Sequence, residues 1–442
     1  MRLIQILTMG LLLNACKTSN TASLEEADQS TEAVKTTPID APETSRQKYA
    51  KPHYGFYFLG PGDQTARAVP GEQNPFFNPS RPTLVYFHGW SPGEMSKDEP
   101  RSFNKHKRFP SAPDLDLVKL WTDLGWNVGM MDWTQFADTA FESGTNGIIP
   151  TKFSYDTVER RVWGHDDQGE LVYYLSDGSR HASPEASVAD MFANEYVAFM
   201  NGVAKSGPEV RFFGHSLGTQ MATTVAYRVF KMGTAAAPIN PAILPVRISL
   251  TDITSSNCPK AWLPSTTSRN RGVSPECLGK NGPGDWVSER LGDAVNFLQN
   301  TSQRVAFDAY RCWGLSSTGV LADQEKPLLD RMAFTEMKPN TGVVDLLAKH
   351  AFCMWNYLAS VALPPPLVDG SAGASAVHLT DIPPANCAEL GVDGADKATR
   401  AVSASAATER VRQLMNGAVY FVQTKESVGP SNTSYTVTCK TK

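Results

Sequence analysis

The chain has 442 residues, of which 41% are hydrophobic and 10% aromatic, while charged residues make up only 19%. A chain with this much apolar content and so few charges is not intrinsically disordered, and its length allows one large domain or two smaller ones. The net charge of −4 and the lack of a Lys/Arg run that could follow a phosphate backbone argue against the basic surface with which proteins bind nucleic acids. We therefore expect no nucleic-acid partner.

The N-terminus reads MRLIQILTMGLLLNACK, with one basic residue, an apolar segment from Leu3 to Leu13 and small residues before Cys16. This pattern is typical of a secretory signal peptide and is too short for a membrane-spanning helix. The ending LNAC resembles the lipobox of bacterial lipoproteins, which implies lipidation of Cys16. Ordinary cleavage near Ala15, with Cys16 incidental, is the alternative. Lys17 after the cysteine is compatible with the outer membrane.

The resulting expectation is a protein of the bacterial cell envelope that a lipid anchor attaches to a membrane, facing the periplasm or the exterior. We favour the outer membrane over the inner one. Residues 16–50 are rich in Thr, Ser, Glu, Ala and Lys, and they contain too few large apolar residues to fold, so they form a flexible tether. The predicted organisation is a signal peptide (1–15), a lipidated tether (16–50), a main folded domain (51–363) and a C-terminal extension (364–442).

Six cysteines remain after Cys16 is set aside, and the chain enters an oxidising compartment, which favours three disulfides. Six cysteines allow fifteen pairings, and sequence cannot choose among them. A zinc site is the alternative, but no close CxxC pair supports it, and we expect no metal. Sequence order suggests these pairs: Cys258 with Cys277, Cys312 with Cys353, and Cys387 with Cys439.

The middle of the chain alternates short β-rich runs with helical patterns. The run TLVYF (83–87) is followed by a segment in which Leu117, Leu120, Trp121 and Leu124 share one helix face. Further strands are predicted at NVGMM, VRFF, VRISL and RVAFDAY, separated by amphipathic helical segments. This alternation predicts an α/β fold with a mostly parallel central sheet and helices on both faces.

The sequence GHSLG places Ser216 between two glycines, after the strand VRFF and before an amphipathic helix. In the pattern G-x-S-x-G a strand turns sharply into a helix, and the glycines relieve crowding around an exposed nucleophilic serine. A polar residue in an ordinary turn is the alternative. On these residues the chain resembles the α/β-hydrolase superfamily over roughly residues 54–363, with the form of the motif seen in many lipases and esterases. The resemblance does not specify a substrate.

The resemblance implies a catalytic triad in the order serine, acid, histidine, because a serine hydroxyl needs a base and a carboxylate that orients it. Of the histidines, only His350 and His378 follow Ser216. His350 is expected on the loop that enters the last apolar helix, where the superfamily has its base. A histidine that caps its helix is the alternative. His378 lies beyond LPPPL, in the C-terminal extension.

The acid is less sharply defined. Asp252 directly follows the strand VRISLT, and a residue at the carboxyl end of a strand points toward the site. Pancreatic-type lipases have their acid after this strand. The more usual superfamily position follows the next strand, which makes Asp323 the rival, whereas Asp308 lies within a strand. We predict Asp252, with Asp323 left open.

Two backbone N–H groups should stabilise the oxyanion. One is the amide of Leu217, directly after the nucleophile and at the start of a helix. In lipases with an HG pair after the first strand, the next residue supplies the other amide, which makes Trp90 the candidate. Gly89 allows the close backbone approach, and His88 is expected to be a structural hydrogen-bonding residue.

Substrate preference should come from insertions. Residues 141–185 contain a predicted β-hairpin turned at DDQG and form a cap or a surface decoration. Residues 258–277, tethered if their terminal cysteines pair, form a lid or a simple excursion. The extension 364–442 contains the strand-like runs AVYFVQT and SYTVTCKT.

These expectations describe a serine hydrolase that cleaves carboxylic esters, as a lipase, phospholipase or carboxylesterase, with an ester or lipid substrate. A serine peptidase or an acyltransferase would use the same residues. A non-catalytic surface binding protein on a hydrolase fold is the alternative from another class. No cofactor is expected, because the sequence has no HExxH, Walker or dinucleotide-binding motif.

Overall fold

The computed structural model describes most of the predicted main folded domain and parts of the C-terminal extension. The signal peptide, Cys16, the tether, Asp323, His378 and the segment 258–277 lie outside the described residues, as does Cys387. The described residues are 54–62, 64–90, 116–137, 142–143, 150–152, 162, 172–174, 180–182, 187–203, 206–233, 239–253, 278–279, 282–283, 287–312, 328–338, 346–361, 404–415, 417–424 and 436–442.

Within the described residues, ten strands form one central sheet and three two-stranded sheets lie outside it. The strands of the central sheet are Gly55–Gly60 (β1), Gln64–Arg67 (β2), Thr83–Phe87 (β3), Asn127–Asp132 (β4), Val210–His215 (β9), Pro245–Thr251 (β10), Ala306–Arg311 (β13), Ala333–Lys338 (β14), Val419–Thr424 (β15) and Thr436–Thr441 (β16). The short strands are Glu142–Ser143 (β5), Pro150–Lys152 (β6), Val172–Tyr174 (β7), Arg180–Ala182 (β8), Leu278–Gly279 (β11) and Gly282–Pro283 (β12).

The strand order in the central sheet is β16, β15, β14, β13, β10, β9, β3, β4, β1, β2. All neighbours from β15 to β4 are parallel, whereas β1 and β2 at one edge and β16 at the other pair antiparallel. The predicted mostly parallel sheet is therefore confirmed.

Helices cover both faces of the sheet. They are Leu117–Asp123 (α1), Thr134–Ala137 (α2), Val188–Gly202 (α3), Gly218–Met232 (α4), Val287–Gln299 (α5), Leu346–Ala359 (α6) and Thr408–Met415 (α7), with a short 3₁₀ turn at Pro241–Ile243. One apolar cluster joins α3, α4 and α5 to one face of the sheet, and a second joins α1, α6 and α7 to the other. Alternate residues of a strand supply the two clusters: Val85 and Phe87 belong to the first, Leu84 and Tyr86 to the second.

The strand order reverses at β3. The chain passes from β3 to β4 on one side, and after β8 and α3 it returns to the other side of β3 as β9. Such a reversal opens a crevice at the carboxyl ends of the strands, which is where ligands bind in open α/β sheets. The residues after β3 and β9 are His88 to Trp90 and Ser216 to Leu217, which include both predicted oxyanion donors and the predicted nucleophile.

The end of the chain extends the same sheet. β15 pairs parallel with β14, and β16 pairs antiparallel with β15. Buried arginines attach the preceding segment: Arg211 Nη1 donates to the Ala404 carbonyl and Arg247 Nη1 to the Ala406 carbonyl, both at 2.7 Å. The two strand-like runs predicted in the extension are strands of the central sheet.

One expectation about the 141–185 insertion differs from the structure. Val172–Tyr174 pairs antiparallel with Arg180–Ala182, and both strands follow DDQG in the sequence, whereas DDQG itself lies outside the described residues. DDQG has turn chemistry, but so does SDGS, and the tyrosines before SDGS favour strand pairing there.

Within the described ranges, no helix combines the length and hydropathy needed to cross a membrane.

Candidate active site

Ser216 lies at a strained turn between β9 and α4. It directly follows the last residue of β9, has φ of 56° and is 8% exposed. Its amide donates to the Thr251 carbonyl at 3.0 Å, which continues the ladder to β10 beyond the end of β9. A positive φ is costly for a residue with a side chain and persists only where the surroundings impose it. The backbone therefore holds Ser216 in a fixed orientation at the carboxyl end of the sheet.

The flanking glycines allow this turn to form. A Cβ atom at Gly214 would lie 2.4 Å from the Gly218 carbonyl oxygen, and one at Gly218 would lie 2.0 Å from the Phe87 carbonyl oxygen. Both contacts involve backbone atoms that cannot move away. The first residue of α4 thus packs directly on the end of β3, as G-x-S-x-G requires.

We expect Gly218→Ala to lower the free energy of unfolding by about 1–3 kcal/mol or more, because the added methyl group overlaps backbone atoms. Gly292→Ala is the matched control: it lies in α5, and its added Cβ would meet no atom within 4 Å. That change should raise stability by about 0.5–1 kcal/mol, since alanine favours a helix over glycine. Urea unfolding of the two variants checks both signs, and equal effects would contradict this explanation.

Asp252 follows β10 in the same way that Ser216 follows β9. It has φ of 50°, its side chain is buried, and its amide donates to the Tyr310 carbonyl of β13 at 2.6 Å. Its two carboxylate oxygens have different partners. Oδ1 accepts from the Cys312 amide at 3.3 Å, and Oδ2 is hydrogen-bonded to Nδ1 of His350.

His350 lies within helix α6, and not on the preceding loop, where the sequence had predicted it. The helical pattern begins at Leu346, earlier than the most apolar stretch AFCMWNYL suggests. Nδ1 of His350 carries the proton in the hydrogen bond to Asp252, because the carboxylate can only accept. In the neutral ring Nε2 is then a proton acceptor. The ring also packs against His215, with 4.5 Å between ring centroids, so His350 lies beside the Ser216 turn.

The backbone after β3 meets Ser216 at Gly89. A Cβ atom at Gly89 would lie 2.7 Å from Cβ of Ser216 and 3.2 Å from its Oγ. Trp90 follows at once, partly buried against the core. Leu217 is fully buried and is the N-cap residue of α4, so its amide lies at the positive end of the helix dipole. The segments that contain the two predicted oxyanion donors thus converge on the serine.

Asp308 has a structural partner. Its carboxylate forms a fully buried ion pair with Arg247, so it is not available to orient a histidine. The rival acid Asp323 lies outside the described residues, and among the described carboxylates Asp252 is the one bonded to His350.

Two features near the site were missed in the sequence. Asp132 is the last residue of β4 and contacts His88. The signal available in the sequence was its position directly after the run NVGMM. The disulfide between Cys312 and Cys353, which sequence order suggested, is present with 5.6 Å between the Cα atoms; what the sequence did not indicate is that it lies beside the site. Cys312 is the residue whose amide contacts Asp252, and Cys353 lies one helical turn after His350. The bond therefore links the surroundings of the carboxylate to the helix of the histidine.

We expect the double variant Cys312→Ala/Cys353→Ala to lose about 2–4 kcal/mol of unfolding free energy, because the bond closes a long loop in the unfolded chain. The sequence separation of the two cysteines is 41 residues. Urea unfolding without reductant compares the variant with the wild type. Identical midpoints would contradict the expectation, and peptide mapping of the wild type supplies the control that the bond is formed.

No group of three or more His, Cys, Asp or Glu side chains suited to a metal ion occurs in the described part of the chain. The polar groups at the carboxyl end of the sheet include the Ser216 hydroxyl, the His350 imidazole and the Asp252 carboxylate. A hydroxyl, an imidazole and a carboxylate are the groups with which proteins move a proton from the hydroxyl to the imidazole and stabilise the imidazolium that results.

Comparison with known proteins adds little to this geometry. No family model matches the chain, and no curated protein matches it. A lipase-esterase related protein of Clostridium acetobutylicum is a structural match with 10% sequence identity and a TM-score of 0.25. The match covers 68% of this chain and 97% of the Clostridium chain. Similarity this low carries no argument about activity, so the functional conclusion depends on the residues themselves.

Proposed function

We propose that this protein is a serine hydrolase of the α/β-hydrolase type that cleaves carboxylic esters. The observation that carries the proposal is the hydrogen bond between Asp252 and His350 beside the strained Ser216 turn. The three residues come from separate parts of the chain, after β9, after β10 and in α6. A structural turn at Ser216 has no need of a partly buried histidine that is hydrogen-bonded to a buried carboxylate next to it.

In the proposed reaction, Ser216 Oγ attacks the ester carbonyl carbon while its proton passes to Nε2 of His350. Asp252 holds the ring in the tautomer with Nδ1 protonated and stabilises the imidazolium. The amides of Trp90 and Leu217 stabilise the negative oxygen of the tetrahedral intermediate.

The intermediate collapses by breaking the bond to the alcohol, which takes the proton from His350 as it leaves. Water then attacks the acyl-enzyme, giving its proton to His350, and Ser216 recovers a proton as the carboxylic acid is released. No bond changes in this sequence need a cofactor.

Location at a membrane is part of the proposal. The lipobox-like sequence before Cys16 supports a lipid anchor in the bacterial cell envelope, with the tether 16–50 between anchor and enzyme. Mass spectrometry of the protein from membranes should find acyl chains on an N-terminal Cys16. A free residue further along the chain as N-terminus would contradict the anchor without affecting the catalytic proposal.

A fluorophosphonate probe, which reacts with activated serines, tests the catalytic proposal. We expect the wild type to be labelled and Ser216→Ala and His350→Ala to be unlabelled. Ser80→Ala is the matched control, because Ser80 is exposed in the loop before β3 and its amide and hydroxyl both donate to Asn78 Oδ1. It should be labelled like the wild type.

Turnover of p-nitrophenyl esters of increasing chain length then separates a lipase from a short-chain esterase, and p-nitroanilide substrates test for a peptidase. A folded wild type that neither takes the label nor cleaves any ester, with or without lipid micelles, would contradict the proposal and favour a non-catalytic binding protein.

A further inference from the structure

We propose that His88 is a positioning residue of the oxyanion hole: it holds the Gly89 carbonyl and thereby directs the Trp90 N–H toward Ser216. This inference rests on the proposed function. It assigns to a side chain the orientation of a backbone group that the reaction requires.

The contact that carries the inference joins Nδ1 of His88 to the carbonyl oxygen of Gly89 at 2.8 Å. A carbonyl oxygen can only accept, so Nδ1 must carry the proton. The His88 side chain is fully buried, which makes the hydrogen bond inaccessible to competition from water.

The Gly89 carbonyl and the Trp90 N–H belong to one peptide unit. No cis peptide bond occurs among the described residues, so this carbonyl and this N–H lie in one plane and point in opposite directions. Fixing the carbonyl on the His88 side therefore fixes the N–H on the other side. Gly89 itself lies against Ser216, as the 2.7 Å distance from its hypothetical Cβ to the serine Cβ demonstrates. A glycine at this position could otherwise rotate easily.

The end of β4 holds the His88 ring in place. The Trp133 amide donates to Nε2 of His88 at 3.0 Å, and the Trp133 indole N–H donates to the His88 carbonyl at 2.7 Å. The two rings also stack, with 5.6 Å between centroids. The ring and the backbone of His88 are thus both fixed by Trp133, the residue that directly follows the neighbouring strand β4.

Asp132 adds a charge to this cluster. Its Oδ1 lies 3.2 Å from Nε2 of His88 and accepts from the Thr134 hydroxyl at 2.6 Å. Its Oδ2 is buried and has no hydrogen-bond partner among the described residues. A carboxylate buried with one oxygen unsatisfied is costly, so a cluster needed only for packing would be more stable with apolar side chains.

The test compares two polar replacements of similar size. In His88→Asn the amide nitrogen can reach the former Nδ1 position and donate to Gly89, whereas in His88→Gln the longer side chain reaches the former Nε2 position. We expect His88→Gln to lower kcat by about 10²–10³-fold, the loss typical of one oxyanion donor, while KM is unchanged. His88→Asn should retain most of the wild-type kcat.

Binding of a trifluoromethyl ketone, which forms an oxyanion on reaction with the serine, provides a second readout. Its inhibition constant should rise in His88→Gln by the same factor by which kcat falls, because both depend on the same N–H. Asn127→Leu is the control for stability alone: Asn127 is buried at the opposite end of β4 and bonds the loop before β3. It should lower the melting temperature without changing kcat of the folded enzyme.

Equal kcat values for the His88→Asn and His88→Gln variants would overturn the assignment. So would a loss of kcat in Asn127→Leu as large as that in His88→Gln at a similar fall in melting temperature, because the loss would then follow from stability alone. So would a fall in kcat with unchanged binding of the ketone. A wild type that cleaves esters while these variants behave alike overturns the role of His88 only. A wild type without fluorophosphonate labelling or ester cleavage overturns the proposed function, and the role of His88 with it.

Discussion

Asp252→Asn should lower kcat by about 10⁴-fold while the fold stays intact. Asparagine adopts positive φ more readily than most residues, so the backbone at φ of 50° is preserved. The Cys312 amide donates to Oδ1 of Asp252, and this donor selects the amide oxygen of the new side chain. The amide nitrogen then faces Nδ1 of His350, which must accept. The proton moves to Nε2, where it blocks removal of the Ser216 proton.

Asp323→Asn is the control for Asp252→Asn, because Asp323 is the other acid that the sequence allows. Steady-state kinetics on a p-nitrophenyl ester, with circular dichroism to check folding, compares the two variants. If Asp323→Asn shows the large loss and Asp252→Asn does not, Asp323 is the acid and the mechanism above is wrong at that residue.

Loss of one partner of the Arg247–Asp308 ion pair should lower the free energy of unfolding by about 3–5 kcal/mol. The guanidinium and carboxylate are fully buried and joined by two hydrogen bonds, of 3.0 and 2.7 Å. Burial lowers the pKa of Arg247, but Asp308 and the neighbouring tyrosines together raise it above the ordinary value. Without Asp308 the raising effect of its carboxylate is lost, but an arginine side chain stays protonated in proteins, so an unpaired charge remains in the core.

Denaturant unfolding of Arg247→Met, Asp308→Leu and the double variant tests this prediction. The double variant should lose less than either single one, because no uncompensated charge remains. Lys119→Met is the control, because Lys119 forms an exposed ion pair with Asp123 on α1. Its loss should lower the free energy of unfolding by only about 0.3–0.5 kcal/mol. Single variants that lose no more than the double one would contradict the explanation.

The sequence predicted the parts of the structure that depend on local pattern. Apolar runs located β3, β4, β9, β10 and β13, and the spacing of glycines around Ser216 predicted the turn that the structure contains. Strand β14 was missed because its sequence, AFTEMK, has neither an apolar run nor regular alternation. Its strand conformation depends on parallel pairing with both neighbours, which is a tertiary effect.

The site was predictable to the extent that its residues follow strands. Asp252 could be chosen because it directly follows VRISLT, but its hydrogen bond to His350 joins residues 98 positions apart and needs the folded chain. The contact of His88 with Gly89 is between adjacent residues, yet the ring is oriented by Trp133, 45 positions away. Contacts of this kind leave no periodic signal in a sequence.

The Ser216 amide donates a hydrogen bond to the Thr251 carbonyl, and the Asp252 amide donates one to the Tyr310 carbonyl. These two hydrogen bonds affect how such a protein can diversify. Each residue is fixed by the neighbouring strand before the chain leaves the sheet, so its position does not depend on the loop that follows. Insertions or deletions after Trp90, Ile253 or Cys312 can therefore reshape the surroundings of the crevice without shifting the reacting groups. Deletion of a single residue within β10, in contrast, would turn each side chain after it in that strand to the opposite face of the sheet. We expect the chemistry to tolerate a wide range of loop lengths and almost no change in strand length.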